Sequence, residues 1–353
     1  VWAGKVVTST KSDVTITAWD VEMDGSLTAG TLSISVHGAK TSQTIGIGAS
    51  LSQNMEILDG ELGRLTAEAG LTIGTAVTGE IQVKGVTDGS SDSVGTITLV
   101  GMKDATAVAF LGTASAFNKG IVVQAMGGVV LSESVTTKNW PTLIYAGTGT
   151  LKTLSTKSLV STNQLLTVTA DDVDLQGDLV DSGTALMVIT PLTVANTIGI
   201  GITTTDMDIE GAEVAVVTTS GGLTIGSLAV SGSITVTDIT TANSNAITGA
   251  ATLVATVDDS SITFATTASS FHTLGAQADN AVAVQVDVTA TTGYLYLDGD
   301  YENSNTGDTV NDVQVADLVV VFAETLMTLE STTGSIVPAA KLTLVAGSGL
   351  VLL

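Results

Sequence analysis

Apolar and polar residues alternate in short runs along most of the chain: Val14/Ile16, Leu32/Ile34/Val36, Ile81/Val83, Ile97/Leu99, Ile234/Val236 and Leu342/Leu344. A period of two puts successive side chains on opposite faces of a strand, so each run predicts a β-strand with one face buried. Nearly every run ends near Gly, Asn-Ser, Asp-Gly or Ser-Gly, residues that turn a chain sharply. Helical spacing shows only around residues 62–69, where Gly63 interrupts it. The pattern predicts an all-β chain of many short strands.

An internal repeat organises these strands. Residues 15–27 match residues 167–179 at seven of 13 positions. Thr44-Ile45-Gly46-Ile47-Gly48 returns as Thr197-Ile198-Gly199-Ile200-Gly201, and Gly70-Leu71-Thr72-Ile73-Gly74 as Gly222-Leu223-Thr224-Ile225-Gly226. Thr113-Ala114-Ser115-Ala116-Phe117 returns as Thr267-Ala268-Ser269-Ser270-Phe271. The offsets stay between 152 and 154 residues and keep one order, which chance matches in a Thr/Gly-rich chain would not do. The sequence thus divides into a first unit, residues 1–157, a second, residues 158–310, and a partial third unit or terminal coils, residues 311–353. Within the units Gly25 and Gly60 are 35 residues apart, and Gly177 and Gly211 are 34 apart. Half of that spacing, about 17 residues, is the predicted length of one coil in a stacked-repeat fold.

Composition narrows the architecture. Hydrophobic residues make up 44% of the chain but aromatics only 3%, so Val, Ile, Leu and Ala must fill the interior. A parallel β-solenoid buries a narrow aliphatic column; tandem β-sandwich domains need a wide core with several aromatics each. Aromatic residues are too few for a string of sandwiches, so the parallel β-solenoid is the predicted fold and tandem β-sandwich domains the alternative. The phrases Gly222-Leu223-Thr224-Ile225-Gly226-Ser227-Leu228 and Ser231-Gly232-Ser233-Ile234-Thr235-Val236 resemble the repeats of filamentous-haemagglutinin-type secreted β-helix proteins. That resemblance implies a right-handed parallel β-helix, export from the cell, and a role in adhesion or fibre formation.

Charge excludes several functions. The formal net charge is −24, and residues 158–340 hold 22 acidic groups with no Lys or Arg. Such a surface repels nucleic acid and anionic lipid and attracts cations. No apolar run approaches the ~18–20 residues of a membrane span. Without cysteine there is no disulfide framework, thiol chemistry or Cys-ligated metal. The first residue is Val1 rather than Met, which predicts a processed chain or a piece of a larger one. The apolar run that closes the sequence, Gly349-Leu350-Val351-Leu352-Leu353, predicts either truncation within a repeat or a polymerising edge.

Catalytic motifs are sparse. His37 and His272 are the two imidazoles; Ser269, Ser270 and Asp279 lie near His272 in sequence, but no Gly-x-Ser-x-Gly elbow accompanies them. Gly46-Ile47-Gly48 and Gly199-Ile200-Gly201 begin like dinucleotide loops, yet Leu51 and Thr204 stand where a third glycine belongs. The sole arginine is Arg64, which disfavours cleavage of anionic polysaccharides. No enzyme activity and no resident cofactor are expected. Clustered acids are the one candidate chemistry: Asp206, Asp208 and Glu210 alternate with Met207 and Ile209, and Asp298, Asp300 and Glu302 flank Gly299. Their oxygens suit Ca²⁺, which takes six to eight such ligands; a solvated acidic face is the plainer reading. The expectation is a structural subunit or segment of an extracellular or cell-surface filament, stalk or sheath that self-associates. Its alternative is an adhesin that recognises a glycan or surface partner.

Overall fold

A computed structural model describes residues 1–201, 204–304 and 310–353. Strands account for nearly all of its regular structure, with three short helices and one 3₁₀ turn among the described residues. Every described pair of strands runs parallel. Sandwiches are built from antiparallel pairs, so the tandem-sandwich alternative does not hold and the fold is a parallel β-solenoid.

The chain falls into two compact units, Val1–Ala170 with Asp174–Ser182, and Asp171–Val173 with Gly183–Leu353. In the first, one coil carries the strands Ile121–Ala125, Val129–Leu131 and Val135–Thr137. The next carries Thr142–Tyr145, Thr150–Thr153 and Ser158–Ser161, and all three sides pair in register: Val122 with Leu143, Val129 with Leu151, Val135 with Leu159. In the second unit, Leu274–Ala278, Val282–Val284 and Val288–Ala290 pair with Leu295–Asp298, Val313–Val315 and Val320–Ala323. A coil therefore has three strands.

Three sides make the coil longer than the predicted 17 or so residues. Val122 pairs with Leu143, 21 residues on, and Leu223 pairs with Ala251, 28 on. Two coils are longer still: Ile34 pairs with Leu71, 37 residues on, and Met187 with Leu223, 36 on. Each contains an extra strand laid beside its predecessor, Met55–Leu58 against Ile45–Gly48 and Met207–Ile209 against Asn196–Gly201. The glycine rhythm of 34 to 35 residues thus tracks one enlarged coil, not two small ones.

The predicted alternation is what fills the interior. Ile34, Val36, Ile81, Val83, Ile97, Leu99, Ile234 and Val236 are all 0–2% exposed, and their polar neighbours face outward. Each such side chain contributes about 1.5–3 kcal/mol on leaving water. Phe110 and Phe117, also buried, meet edge to face at 6.5 Å. Residues 62–69, the stretch with broken helical spacing, give the end of the helix Asp59–Leu62 and then the strand Leu65–Ala67.

Repeated phrases adopt repeated structures. The helices Asp59–Leu62 and Gly211–Val216 follow the two extra strands. Their buried Glu61 and Glu213 each fold back to accept a backbone N–H three residues earlier, from Leu58 at 2.8 Å and Glu210 at 2.7 Å. Ser115 and Ser269 accept the N–H of Val86 and Ile239 at 3.2 and 3.3 Å. Gly48 and Gly201 have φ of 98° and 100°, and a Cβ there would press on the carbonyl of Lys84 or Thr237. Only glycine fits such a left-handed, crowded position.

Candidate functional site

The acidic side chains are mainly employed as acceptors at the corners between strands. Corners leave backbone N–H groups outside the strand ladders, and a buried or half-buried N–H without an acceptor is costly. Asp13 Oδ1 accepts the N–H of Ser33 at 2.9 Å, Asp287 Oδ1 that of Val320 at 2.8 Å, and Asp312 Oδ1 that of Ser335 at 2.9 Å. Asp317 Oδ1 accepts from Lys341 at 2.9 Å, and Asp279 Oδ2 from Asp259 at 2.9 Å. Asp59 takes the N–H and hydroxyl of Thr87 and the hydroxyl of Ser90, at 2.8 to 2.9 Å. These bonds join residues 20 to 33 apart, so each one ties a corner to its neighbour in the stack. The Ser33 N–H holds the Asp13 carboxyl below the usual carboxylate range.

The two aspartates of the first predicted acidic group are engaged in this way. Asp206, Asp208 and Glu210 do alternate with buried Met207 and Ile209. Asp206 Oδ2 accepts the N–H and hydroxyl of Thr197 at 3.0 and 2.7 Å, and that N–H lowers its pKa. Asp208 Oδ1 accepts the N–H and hydroxyl of Thr205 at 2.9 and 2.7 Å, while Glu210 stands exposed at the N-cap of the helix Gly211–Val216 and its N–H goes to the Glu213 carboxylate. Each aspartate serves its own turn.

The second predicted group is only partly brought together. Asp298 and Asp300 are buried, at 4% and 0% exposure, whereas Glu302 is exposed beyond them. Asp300 Oδ1 accepts the Ser304 N–H at 3.2 Å, and Oδ2 the Thr333 N–H at 2.5 Å. Asp298 Oδ1 accepts the Asp300 N–H at 3.1 Å. Its other oxygen lies 2.9 Å from the Tyr296 hydroxyl, which is also 2.9 Å from Glu330 Oε2. Parallel register creates this meeting, since Asp298 pairs directly with Glu330. Sequence reading missed Glu330 because it lies 32 residues away, a separation only the register reveals.

Proton counting defines what this cluster does. A phenol has one hydrogen to donate, yet Tyr296 meets two carboxylates. With both ionised, one contact is oxygen against oxygen; a proton on one carboxyl completes both bonds. Burial, opposed by the bond from Tyr296, raises the Asp298 pKa and so favours holding that proton there. The Tyr296 hydroxyl is itself pushed upward, by burial and by the neighbouring acids, and stays protonated.

Among the described residues no three His, Cys, Asp or Glu side chains converge as a metal-binding group. His272 Nε2 pairs with Asn245 Oδ1 at 3.3 Å, and the Ser269 hydroxyl belongs to the Ile239 corner. Gly46-Ile47-Gly48 and Gly199-Ile200-Gly201 lie in buried strands. No described helix is long and apolar enough to cross a membrane. In comparisons with known proteins, no family model, no curated protein and no solved structure matches the chain, so the functional reading rests on its own residues.

Proposed function

We propose that the chain is a structural subunit or segment of an extracellular filament, stalk or sheath, of the filamentous-haemagglutinin type that its repeats resemble. The supporting observation is the three-sided register of neighbouring coils: strand follows strand in parallel, around an aliphatic interior, with carboxylates fastening the corners. Such a stack resists bending and proteolysis because the backbone groups of each coil are held by its neighbours. The outward negative charge keeps assemblies apart and soluble. Self-association of copies completes the reading, with Ca²⁺ as the cation that would link acidic faces.

Negative-stain electron microscopy of the purified chain, in calcium and then in EDTA, tests this. Filaments with a fixed axial repeat are the expected result, and their loss in EDTA would assign the linkage to Ca²⁺. Discrete particles that never associate in either buffer would overturn it.

A further inference from the structure

The chain has three tryptophans, and all three are exposed: Trp2 by 83%, Trp19 by 50% and Trp140 by 55%. Tryptophan is enriched where an apolar ring face and a polar edge meet a partner together. Trp19 is covered by Lys40, whose ammonium sits 4.9 Å from the ring centre. Trp140 instead forms the wall of a cavity of about 330 Å³, together with Thr66, Glu68, Asp92, Ser93 and Lys119.

Four successive corners build this cavity. They precede the strands Gly70–Thr75, Ile97–Gly101, Ile121–Ala125 and Thr142–Tyr145, which are neighbours in one sheet. Gly95 donates its N–H to the Ala67 carbonyl at 2.8 Å, and Asn139 Nδ2 donates to the Asn118 carbonyl at 2.8 Å, so the corners are stacked rungs. Lys119 is fixed between them, donating to the Asp92 carbonyl at 3.0 Å with the Asp92 carboxylate 3.6 Å away. Pro141 follows Trp140 and restricts its backbone, and the Trp140 N–H is tied to the Lys138 carbonyl at 2.6 Å. The indole is therefore presented on a stiff support.

We propose that this corner stack binds a neutral oligosaccharide of gluco-configured pyranoses. An all-equatorial pyranose has flat faces of axial C–H bonds, which match the electron-rich indole face, and an edge of hydroxyls. Glu68 and Asp92 accept from those hydroxyls and Thr66 donates to them, while Lys119, held also by Asn118 Oδ1 at 3.2 Å, positions Asp92. Three coil steps of about 4.8 Å run from the Glu68 corner to the Trp140 corner, the reach of roughly three sugar rings. Glu68, Asp92 and Lys119 sum to a negative charge on a chain of net charge −24, so acidic sugars are repelled. The inference goes beyond the structural reading and does not depend on it, because assembled and free copies carry the same corners.

Isothermal titration calorimetry with cellotriose and triacetylchitotriose tests the site, with trigalacturonate as the acidic comparison. Wild type should bind at least one neutral trisaccharide and ignore trigalacturonate. Trp140→Ala should weaken binding about tenfold, Trp140→Phe less, and Glu68→Gln by a few-fold, with unchanged melting temperatures for Trp140→Phe and Glu68→Gln. Absence of binding to both neutral probes, equal binding by Trp140→Ala, or tighter binding of trigalacturonate would each overturn the proposal.

Discussion

Both units clamp corners with carboxylates that accept backbone N–H groups, and the first adds a second chemistry. In the first, lysines pair with acids across coils: Lys138 with Asp88 at 2.8 Å, Lys157 with Glu133 at 3.0 Å, Lys119 with Asp92 at 3.6 Å, and Lys152 with Asp174. In the second, where residues 183–340 contain no lysine or arginine, the carboxylate–N–H bonds stand without such pairs, as at Asp287, Asp300, Asp312 and Asp317. Side-chain ion pairs that remain partly wet are weak and weaken further in salt. Asp300, buried and holding two N–H groups, is not exchangeable in that way, since its loss strands the donors. One fold thus tolerates a large excess of negative charge where the backbone itself supplies the positive ends of dipoles.

The units should respond alike where they share geometry. Gly48→Ala and Gly201→Ala each force a side chain into a left-handed, occupied corner, and each should cost about 3 kcal/mol or more. Chemical denaturation that showed one substitution to be harmless would break the structural equivalence of the two enlarged coils. Where the chemistry differs, the responses should part. Asp300→Ala orphans the N–H groups of Ser304 and Thr333 and should cost about 2–3 kcal/mol, with hydrogen exchange quickening at those two amides. Slow exchange at Thr333 in that variant would refute the clamp.

Acidity sharpens the contrast. Because the folded chain holds the Asp298 proton more tightly than the unfolded chain, the stabilisation is full below the ordinary carboxylate range. It is lost as pH rises through the raised folded pKa. Asp298→Asn mimics the protonated acid, keeping an acceptor for the Asp300 N–H and supplying a donor to Tyr296. It should therefore stabilise the protein by about 1 kcal/mol at pH 8 and by little at acid pH, read from paired urea titrations. An equal difference at both pH values would discard the shared proton. Smallest of all, Glu133→Gln should cost under about 1 kcal/mol and lose even that in high salt, because Glu133 and Lys157 are each about a quarter exposed.

The strands were legible because alternation is local: Ile81/Val83 and Ile234/Val236 declare their buried faces within three residues. The internal repeat is read from the order of letters alone. Coil length was not legible, because the spacing of Gly25 and Gly60 follows an enlarged coil whose extra strand, Met55–Leu58, is set by its pairing with Ile45–Gly48. The partners of the acids were hidden for a related reason. Asp298 and Asp300 look like a pair aimed at a cation, yet their partners Glu330 and Thr333 lie more than thirty residues on. Parallel register brings such partners together, and no local pattern encodes the register.

Coils of 21, 28 and 37 residues stack by the same pairing rules. A neighbour reads only the strand segments and the clamped corner of a coil, never the length of chain that leaves and returns between them. Insertions and deletions in such a chain are therefore absorbed sideways. A lengthened loop grows a flank, as the strands Met55–Leu58 and Met207–Ile209 do, while the column beside it keeps its spacing. Evolution can graft new surface onto one turn without renegotiating the others.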